Sequence, residues 1–364
     1  MKGKSDYQIY STSQEAWDAM YKAILSAKKS VYWEVYILVD DEAGNKFFDL
    51  LMGKAKQGVD VKLVLDYWGS FSLSRKKLSE LKKAGVEVKM FQLKGHPIRS
   101  FHQWMTRRTH RKILVVDESI GFVGGVNVQK HMADWWDIHI RLEGKVVHSL
   151  LRSFAKSYIL SNGDKSKIKH LLKYKHRYKE TLTEMIYDEP HKNKSRARKK
   201  YTEALLKARE RVILFSPYYF PDKKFLYALW KARKRGVKVD LLIPYRTDLK
   251  MAKYVMFTWF SLLKKQGVIV HLTDKMMHGK GVVVDDDWAM IGSSNIEQSG
   301  FYDNYEANIH LKDKEGVKKL KVILNKWMKG SKHLKDLGLE KRSFFHKVKE
   351  RISLFLYKYW YGDK

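Results

Sequence analysis

A pattern of histidine, lysine and asparagine occurs twice in the sequence, and every residue of the second copy stands at the same offset from its counterpart in the first. The copies are HRKILVVDESIGFVGGVN and HGKGVVVDDDWAMIGSSN, and both read HxK, four residues, Asp, six residues and Gly-Gly/Ser-x-Asn. A single HxK would mean little among 14 histidines and 72 lysines and arginines, but two copies that match throughout indicate a duplicated functional site. The motif residues are His110, Lys112, Asp117, Gly125 and Asn127 in the first copy and His278, Lys280, Asp285, Ser293 and Asn295 in the second.

Each copy reads as a strand, a tight turn and a returning strand. Residues i and i+2 of a strand point to the same face, so the His and Lys of each copy share a face, and the Asn of the returning strand can reach it. The Asp lies five positions after the Lys, near the turn, and we expect it to support the hairpin or a neighbouring lysine rather than line the pocket. Two such faces related by a twofold axis would place two His, two Lys and two Asn around one point.

Such a cluster suits a phosphate group. Lysines and amides can stabilise the equatorial oxygens of a five-coordinate phosphorus transition state. One His can attack phosphorus while the other protonates the leaving oxygen, which leaves a phospho-histidine that water or an alcohol can resolve. We interpret Asp40, Asp41 and Glu42 as a solvated loop that caps the following helix, because no His or other carboxylate is placed with them. The sequence has no Gly-rich nucleotide loop, and we expect neither a metal nor a cofactor.

Two acidic residues stand at near-equivalent distances after the two histidines. Asp137 follows His110 and Glu306 follows His278, at spacings that differ by a single position. The two histidines need opposite protonation states, so each is expected to have an orienting partner that accepts a hydrogen bond from Nδ1–H. Asp137 and Glu306 are the candidates for that role, and the alternative is that each forms a salt bridge with one of the many lysines.

The elements around the motifs repeat as well. GVDVKLVLD from Gly58 matches GVKVDLLIP from Gly236, and GVEVKMF from Gly85 matches GVIVHLT from Gly267. The four glycines stand where helices end and a positive φ is needed. Helices that alternate with β-branched runs predict an α/β fold with mixed sheets covered by helices. We therefore expect two pseudo-twofold-related lobes, with the active site at their interface.

The expected domain boundaries follow from this repeat. The first lobe spans residues 1–160 and the second spans residues 201–330. Between them, residues 161–200 are expected to form a basic linker or inter-lobe helix, and residues 331–364 an amphipathic helical extension.

The composition limits the classes of binding partner that we expect. The 364 residues carry 72 Lys and Arg against 40 Asp and Glu, a net charge of +32, and no cysteine. A field of this size favours polyanions, either nucleic acid or an anionic membrane surface. No apolar run approaches the roughly 18 residues of a membrane span, and no apolar signal segment follows Met1. We therefore expect a peripheral protein on the cytoplasmic face of the cell membrane, whose oligomeric state the sequence leaves open.

The duplicated motif resembles the signature of the phospholipase D superfamily, HxK(x)4D(x)6GSxN. The chain is most similar within it to bacterial cardiolipin synthases of the phospholipase D type, in short forms without N-terminal membrane helices. The similarity extends to WEVYILVDDEAG near Glu34, DYWGS from Asp66, DIHIRLEG from Asp137 and SPYYFPD from Ser216. One departure from the family pattern is Glu297–Gln298–Ser299 after the second Asn, where an arginine-serine pair is usual.

The resemblance implies an activity and roles for the motif residues. It implies metal-independent phosphatidyl transfer, with His110 as nucleophile, His278 as general acid, and Gly125 and Ser293 in the phosphate pocket. The expected product is cardiolipin made from phosphatidylglycerol, with hydrolysis as a possible side reaction. The alternative is a nuclease or phosphodiesterase of the same superfamily acting on nucleic acid. A non-catalytic binding protein is a third reading, which the two intact motifs disfavour.

The C-terminal segment has an amphipathic pattern. Residues Ser343–Tyr361 place aromatic and aliphatic side chains at helical spacings of three and four, between basic residues. This is typical of a helix that lies in a membrane interface, and the alternative is a terminal helix docked on the core. The most basic segment is Lys165–Lys200, and within it Lys194–Tyr201 is expected to lie on anionic headgroups. The alternative is a solvated helix followed by a flexible linker, and the two are compatible. The candidate membrane-binding residues of the helix are Phe344, Phe345, Ile352, Phe355 and Trp360.

Overall fold

The computed structural model describes residues 7–92, 107–176, 178, 181–191, 193–248, 250–339 and 343–361. This part of the chain forms two lobes of the same architecture, each a mixed sheet with helices on its faces. The strands of the first lobe are β1 (Tyr7–Thr12), β2 (Ser30–Val35), β3 (Asp60–Asp66), β4 (Glu87–Phe91), β5 (Ile113–Val116), β6 (Ile120–Gly124) and β7 (Trp136–Glu143). Its helices are α1 (Ser13–Leu25), α2 (Glu42–Lys56), α3 (Arg75–Lys83) and α4 (Lys145–Leu160).

The second lobe repeats these elements and adds short ones. Its strands are β8 (Thr183–Asp188), β9 (Arg211–Phe215), β10 (Tyr219–Phe220), β11 (Lys238–Pro244), β12 (Ile269–Thr273), β13 (Gly281–Val284), β14 (Trp288–Gly292), β15 (Ile296–Glu297), β16 (Glu306–Leu311) and β17 (Ser331–Lys332). Its helices are α5 (Arg196–Lys207), α6 (Lys223–Lys234), α7 (Lys250–Lys265) and α8 (Lys314–Lys329), and α9 (Phe344–Tyr361) follows them.

The two large sheets have the same strand order. The first runs β1-β7-β6-β5-β2-β3-β4, and the second runs β8-β16-β14-β13-β9-β11-β12, with β17 added at its edge. In each sheet the last three of these seven strands are parallel and the other neighbours are antiparallel. Each strand of the first sheet thus has a counterpart in the second, and the predicted α/β fold with two related lobes is confirmed.

The repeated glycines have the backbone conformation that the sequence indicated. Gly58, Gly85, Gly236 and Gly267 follow α2, α3, α6 and α7 with φ values of +85°, +92°, +86° and +73°. This region of φ costs an L-residue with a Cβ atom free energy but costs glycine none. These positions stop each helix and turn the chain back into the next parallel strand.

One shared core holds the lobes together. The outer face of each sheet packs against its own helices, as Trp33 of β2 does in the first lobe and Leu214 of β9 in the second. A third cluster lies between the sheets and joins α4, through Phe154, with α8, through Leu324 and Trp327. Burial of apolar area on both sides of this layer stabilises the docked arrangement of the two lobes.

The second lobe begins earlier in the chain than the sequence suggested. β8 pairs with β16 at the edge of the second sheet, and α5 begins at Arg196, so both lie within residues 161–200 or start there. All six residues of β8, TEMIYD, are buried. This strand is difficult to recognise from the sequence because it is only six residues long and basic segments flank it, so its hydrophobic pattern is weak.

The C-terminal helix α9 presents two faces. Its inner face, which includes Glu350, Ser353 and Leu354, packs against α7 and the second-lobe core. Its outer face exposes large apolar side chains: Phe344 is 75%, Phe345 76%, Ile352 55% and Phe355 68% exposed. The side chain of Trp360 lies outside the described residues. In the described ranges, no helix has both the length and the apolar character needed to cross a membrane.

Candidate active site

Main-chain hydrogen bonds between the lobes bring the two motif histidines together. The amide of His110 donates to the carbonyl of Tyr305 at 3.0 Å, and the amide of His278 donates to the carbonyl of Trp136 at 2.6 Å. Tyr305 and Trp136 stand at the starts of β16 and β7, which are counterparts in the two sheets. Each histidine is therefore bonded at the start of a strand in the other lobe's sheet.

This exchange pairs each histidine with a carboxylate of the opposite lobe. Nδ1 of His110 lies 3.0 Å from Oε1 of Glu306, and Nδ1 of His278 lies 2.7 Å from Oδ2 of Asp137. All four side chains are buried. A carboxylate that accepts from Nδ1–H fixes the tautomer, which leaves Nε2 as the nitrogen that can attack or carry a proton.

The electrostatics of the two pairs favour neutral imidazoles. Burial lowers the pKa of His110 to about 4, although Glu306 opposes the shift. Burial and the charge of Lys280 lower the pKa of His278, and Asp137 opposes them. Burial raises the pKa of both carboxyl groups, but their histidines and nearby lysines lower it on balance. The carboxylates are thus ionised, and a neutral Nε2 suits nucleophilic attack.

The two motif lysines stand next to the histidines. Nζ of Lys112 donates to the carbonyl of His110 at 2.6 Å. Nζ of Lys280 donates to the carbonyl of His278 and lies 2.8 Å from each nitrogen of its ring, over the ring face. Burial and the charge of Lys280 lower the pKa of Lys112, and burial lowers the pKa of Lys280 to about 8. An anion bound between two lysines that repel each other would stabilise the charged form of both.

The motif residues Gly125 and Ser293 lie behind the carboxylates. A Cβ atom at Gly125 would stand 2.1 Å from Oδ1 of Asp137, so only glycine leaves room for that side chain. Ser293 donates from its hydroxyl to Oε2 of Glu306 and accepts from the amide of Ala307 at 2.9 Å. The resemblance implies that both belong to the phosphate pocket, and in the structure their contacts are with the carboxyl groups of Asp137 and Glu306.

The two motif asparagines have different contacts. Oδ1 of Asn127 accepts from the amide of Ile37 at 3.2 Å. Nδ2 of Asn295 donates to Oε1 of Glu297 at 3.0 Å, and its buried Oδ1 has no hydrogen-bond partner among the described residues. A buried amide oxygen without a partner costs free energy, and a ligand hydroxyl or water would satisfy it.

The motif aspartates occupy the turns. Asp117 accepts from the amides of Lys28, Lys29 and Ser30 at 2.7–3.1 Å, and Asp285 accepts from the amides of residues 209–211 at 2.9–3.0 Å. Both have a positive φ, of +50° and +51°, which Asp tolerates better than most residues. These contacts tie the hairpin of each motif to the start of β2 or β9.

Several residues around the site lie outside the two motifs. Thr109, next to His110, donates from its amide to Asp66 at 2.9 Å and from its hydroxyl to the buried carboxylate of Glu34. The rings of Tyr36 and Trp135 lie 5.0 Å from His110 and 5.4 Å from His278. The signal that could have revealed Glu34 is its place as a charged residue inside the buried strand β2.

The acidic cluster at residues 40–42 includes a helix cap. Asp41 caps α2 by accepting from the amides of Ala43 and Gly44, each at 3.0 Å. Among the described residues, no group of three or more His, Asp or Glu is placed to hold a metal ion.

A basic groove of about 980 Å³ adjoins the site. It lies where β8 ends and α5 begins, and Asp188 in its wall pairs with Glu306 in the sheet register. The two motif histidines do not line it. Its charged lining is mostly cationic: Lys156, Lys194, Arg196, Arg198, Lys199, Lys223 and Lys224, with Asp188 and Glu189.

Comparison with known proteins gives a consistent result. The family model described as the phospholipase D-like domain of cardiolipin synthase matches residues 20–157 and 201–328. Cardiolipin synthase of Staphylococcus aureus is 30% identical over 97% of the chain and 73% of its own length. Cardiolipin synthase 2 of Bacillus anthracis is 31% identical over 87% of the chain, and the match spans 63% of that longer protein.

Solved structures share the fold. Phosphatidylserine synthase of Haemophilus influenzae superposes with a TM-score of 0.75 over 97% of the chain and 92% of its own, at 14% identity. Polyphosphate kinase of Porphyromonas gingivalis gives a TM-score of 0.62 over 97% of the chain and 53% of its own, at 13% identity. These identities are low, so the two structures support the two-lobed architecture alone.

Proposed function

The chain belongs to the cardiolipin synthase family of phospholipase D-like proteins, and from that premise we propose that it transfers a phosphatidyl group between phospholipids. The reaction converts two phosphatidylglycerol molecules into cardiolipin and glycerol. The observation that carries the proposal is the crosswise pairing of two buried histidines with two carboxylates, next to two lysines. Each part has a role in displacement at phosphorus, and no other part of the described chain repeats this set.

In the first step, Nε2 of His110 attacks the phosphorus of the donor. The P–N bond forms as the bond to the glycerol oxygen breaks, and His278 transfers a proton to that oxygen. The negative charge of the bound phosphodiester raises the pKa of His278 and so opposes the effect of burial, which lets His278 enter the step protonated. Charge that builds on the equatorial oxygens is stabilised by Lys112 and Lys280. The low pKa of His110 keeps its imidazole neutral for attack. Free glycerol leaves, and the phosphatidyl group remains on His110.

In the second step, a hydroxyl of another phosphatidylglycerol attacks the phospho-histidine. His278, now neutral, accepts the proton of that hydroxyl, and the P–N bond breaks. This returns His110 to its neutral form and His278 to its protonated form. Water in place of the alcohol would give phosphatidic acid, so the balance of transfer and hydrolysis depends on how well the site holds the acceptor.

The same proposal places the protein at an anionic membrane surface, on the cytoplasmic face. The exposed aromatic residues Phe344 and Phe345 stand at the start of α9. The next residue, His346, has its ring 6.2 Å from the ring of Tyr254, near the start of α7. α7 starts beyond the carboxyl end of β11, and parallel strands end on the edge that carries the histidines. The basic groove adjoins this edge as well. Apolar insertion and attraction to anionic headgroups would therefore act next to the site.

The direct test uses purified protein and phosphatidylglycerol vesicles with EDTA. Cardiolipin and glycerol should form in equal amounts, and both His110→Ala and His278→Ala should abolish turnover. Acid-sensitive label from a labelled phosphatidyl donor should map to His110, and mapping to His278 would reverse the two roles. Cleavage of single-stranded DNA without any lipid turnover would overturn the proposal. Glu203→Gln, on the exposed face of α5, serves as a charge-matched control.

A further inference from the structure

The second lobe places an additional carboxyl group beside Asn295, a residue of the second motif. Glu297 follows Asn295 by two residues, in β15, and accepts a hydrogen bond from it. Burial raises the pKa of Glu297 to about 7, and the charges of Glu306 and Lys280 also act on it. The transfer steps described above use neither Glu297 nor its charge.

The pseudo-twofold axis pairs Glu297 with a neutral residue. Gln129 follows Asn127 by two residues, as Glu297 follows Asn295. The backbone contacts are equivalent, since Val128 forms a parallel bridge with Leu38 where β15 pairs in parallel with β10. The site is therefore chemically asymmetric, with an amide on one side and a carboxyl group on the other.

Two polar groups accompany Glu297 on its side of the site. The hydroxyl of Tyr218 donates to Oδ1 of Asp248 at 2.5 Å. Ser216 links this segment to β15, because its hydroxyl accepts from the amide of Ile296 and donates to the carbonyl of Tyr218. The electrostatic interactions of Tyr218 include Glu297 and also Tyr36, the residue against His110. Tyr218 directly precedes β10, whose residues Tyr219 and Phe220 pair with Ile296 and Glu297, so Tyr218 and Glu297 lie on neighbouring segments.

The charge of Glu297 indicates what it does not bind. A phosphodiester is an anion, and a carboxylate beside it would repel it, so Glu297 is unsuited to the phosphoryl group. A second ammonium group is disfavoured by Lys280, which already interacts with Glu297. Neutral hydroxyls remain, since they donate to carboxylates in strong charge-assisted hydrogen bonds.

The direction of displacement indicates which hydroxyls these are. In an in-line double displacement on His110, glycerol leaves from the face opposite His110, and the acceptor attacks from that same face. That face belongs to His278 and Lys280, on the side of Glu297. We propose that Glu297, with Tyr218 and Asp248, forms a subsite for the free hydroxyls of the glycerol headgroup of the leaving and accepting phospholipid. This inference rests on the proposed phosphatidyl transfer.

Competing soluble acceptors test the subsite. Phosphatidylglycerol vesicles are incubated with deuterated glycerol, 1-propanol or ethanolamine, and mass spectrometry quantifies the phosphatidyl product of each acceptor and the phosphatidic acid formed with water. The wild-type protein should prefer glycerol to 1-propanol. Glu297→Gln, which copies the residue of the first lobe, should reduce that preference roughly tenfold, the loss expected for a hydrogen bond to a charged group.

The ratio of transfer to 1-propanol over hydrolysis should stay within about twofold of wild type in Glu297→Gln, because both products come from the same phospho-histidine and propanol has no second hydroxyl to lose a contact. Tyr218→Phe removes a single hydroxyl and should shift the preference in the same direction, so it carries the test if Glu297→Gln does not fold. An unchanged glycerol preference in both variants would overturn the subsite, as would a loss confined to ethanolamine. A wild-type protein that forms no phosphatidyl product with any acceptor would instead overturn the proposed function.

Discussion

Nδ1 of His278 lies 2.7 Å from Oδ2 of Asp137, a carboxylate carried by the other lobe. The reciprocal contact joins His110 to Glu306. Because each histidine takes its partner from the opposite sheet, neither lobe has a complete acid–base pair by itself. Docking of the two lobes and assembly of the site are therefore one event.

The first prediction concerns the two orienting carboxylates. Asp137→Asn and Glu306→Gln remove the negative charge that stabilises an imidazolium and fixes the ring tautomer. We expect each variant to lower kcat for cardiolipin formation by roughly 10²–10⁴-fold, the range of a general acid–base contribution. Initial rates with phosphatidylglycerol vesicles measure this effect, and Glu203→Gln should leave the rate unchanged. Rates above about a tenth of wild type would contradict the role.

The leaving group separates the roles of the two pairs. A phosphodiester with a p-nitrophenolate leaving group needs little proton donation, so it bypasses the general acid. Asp137→Asn, which acts through His278, should slow this substrate much less than phosphatidylglycerol. Glu306→Gln, which acts through the proposed nucleophile His110, should slow both. The opposite pattern would show that His278 is the nucleophile.

A second prediction treats the motif aspartates as structural residues. The carboxylate of Asp117 accepts from three consecutive amides, Lys28 to Ser30, and Asn would keep the positive φ but lose the charge. Asp117→Asn should lower the free energy of unfolding by about 1.5–3 kcal/mol, the contribution of hydrogen bonds to a charged group. Urea denaturation measures this loss, and turnover under native conditions should change by less than about threefold. Loss of turnover at unchanged stability would instead place Asp117 in the chemistry.

A third prediction concerns the outer face of α9. Phe344 and Phe345 are 75% and 76% exposed, so their replacement by Ser should not destabilise the fold. Burial of a Phe in an apolar phase contributes about 1.5–3 kcal/mol, and the double variant should bind phosphatidylglycerol vesicles at least tenfold more weakly. Cosedimentation measures binding, which should also weaken as salt rises.

The docked face of the same helix provides the control. Leu354 packs against the second-lobe core, so Leu354→Ala should lower the melting temperature and leave vesicle affinity nearly unchanged. If Leu354→Ala reduced vesicle binding as much as the two serine substitutions, α9 would serve only to complete the fold.

The duplicated pattern was sufficient to predict the fold and to select the histidines. The glycines after the helices and the β-branched runs repeat along the chain, so the sequence itself contains the pseudo-twofold symmetry. The sequence could not predict the crosswise pairing. Asp137 and Glu306 follow their histidines at nearly equal spacings, and these spacings are compatible with a partner in the same lobe or in the opposite lobe. The choice depends on how the sheets dock, which is a property of their buried surfaces.

The roles of other site residues could not be predicted from the sequence because they depend on contacts between separate segments. Gly125 matters because Asp137 fills the space beside it, and that contact joins residues on neighbouring strands. Glu34 and Asp66 are linked to His110 through hydrogen bonds with its neighbour Thr109, and no short motif connects them. Glu297 was noticed in the sequence as a departure from the family pattern, but the hydrogen bond that it accepts from Asn295 became visible only with the structure.

The last prediction concerns stability in acid. Burial lowers the pKa of His110 and of His139 to about 4, against about 6.5 for histidine in an unfolded chain. Between these values the unfolded chain binds protons that the folded protein does not. The folded state is therefore most favoured above about pH 6.5, and each such histidine lowers the free energy of unfolding by about 1.4 kcal/mol per pH unit as the pH falls toward 4.

His139→Asn isolates one of these contributions. His139 is 1% exposed, and its Nδ1 accepts from the amide of Val126 at 3.4 Å, a contact that Oδ1 of Asn can replace because it stands at the same distance from Cβ. Urea denaturation at several values between about pH 7 and pH 5 should show a smaller pH slope for the variant than for wild type, by about 1 kcal/mol per pH unit. Equal slopes would mean that His139 is protonated in the folded protein, which its burial beside Lys112 opposes.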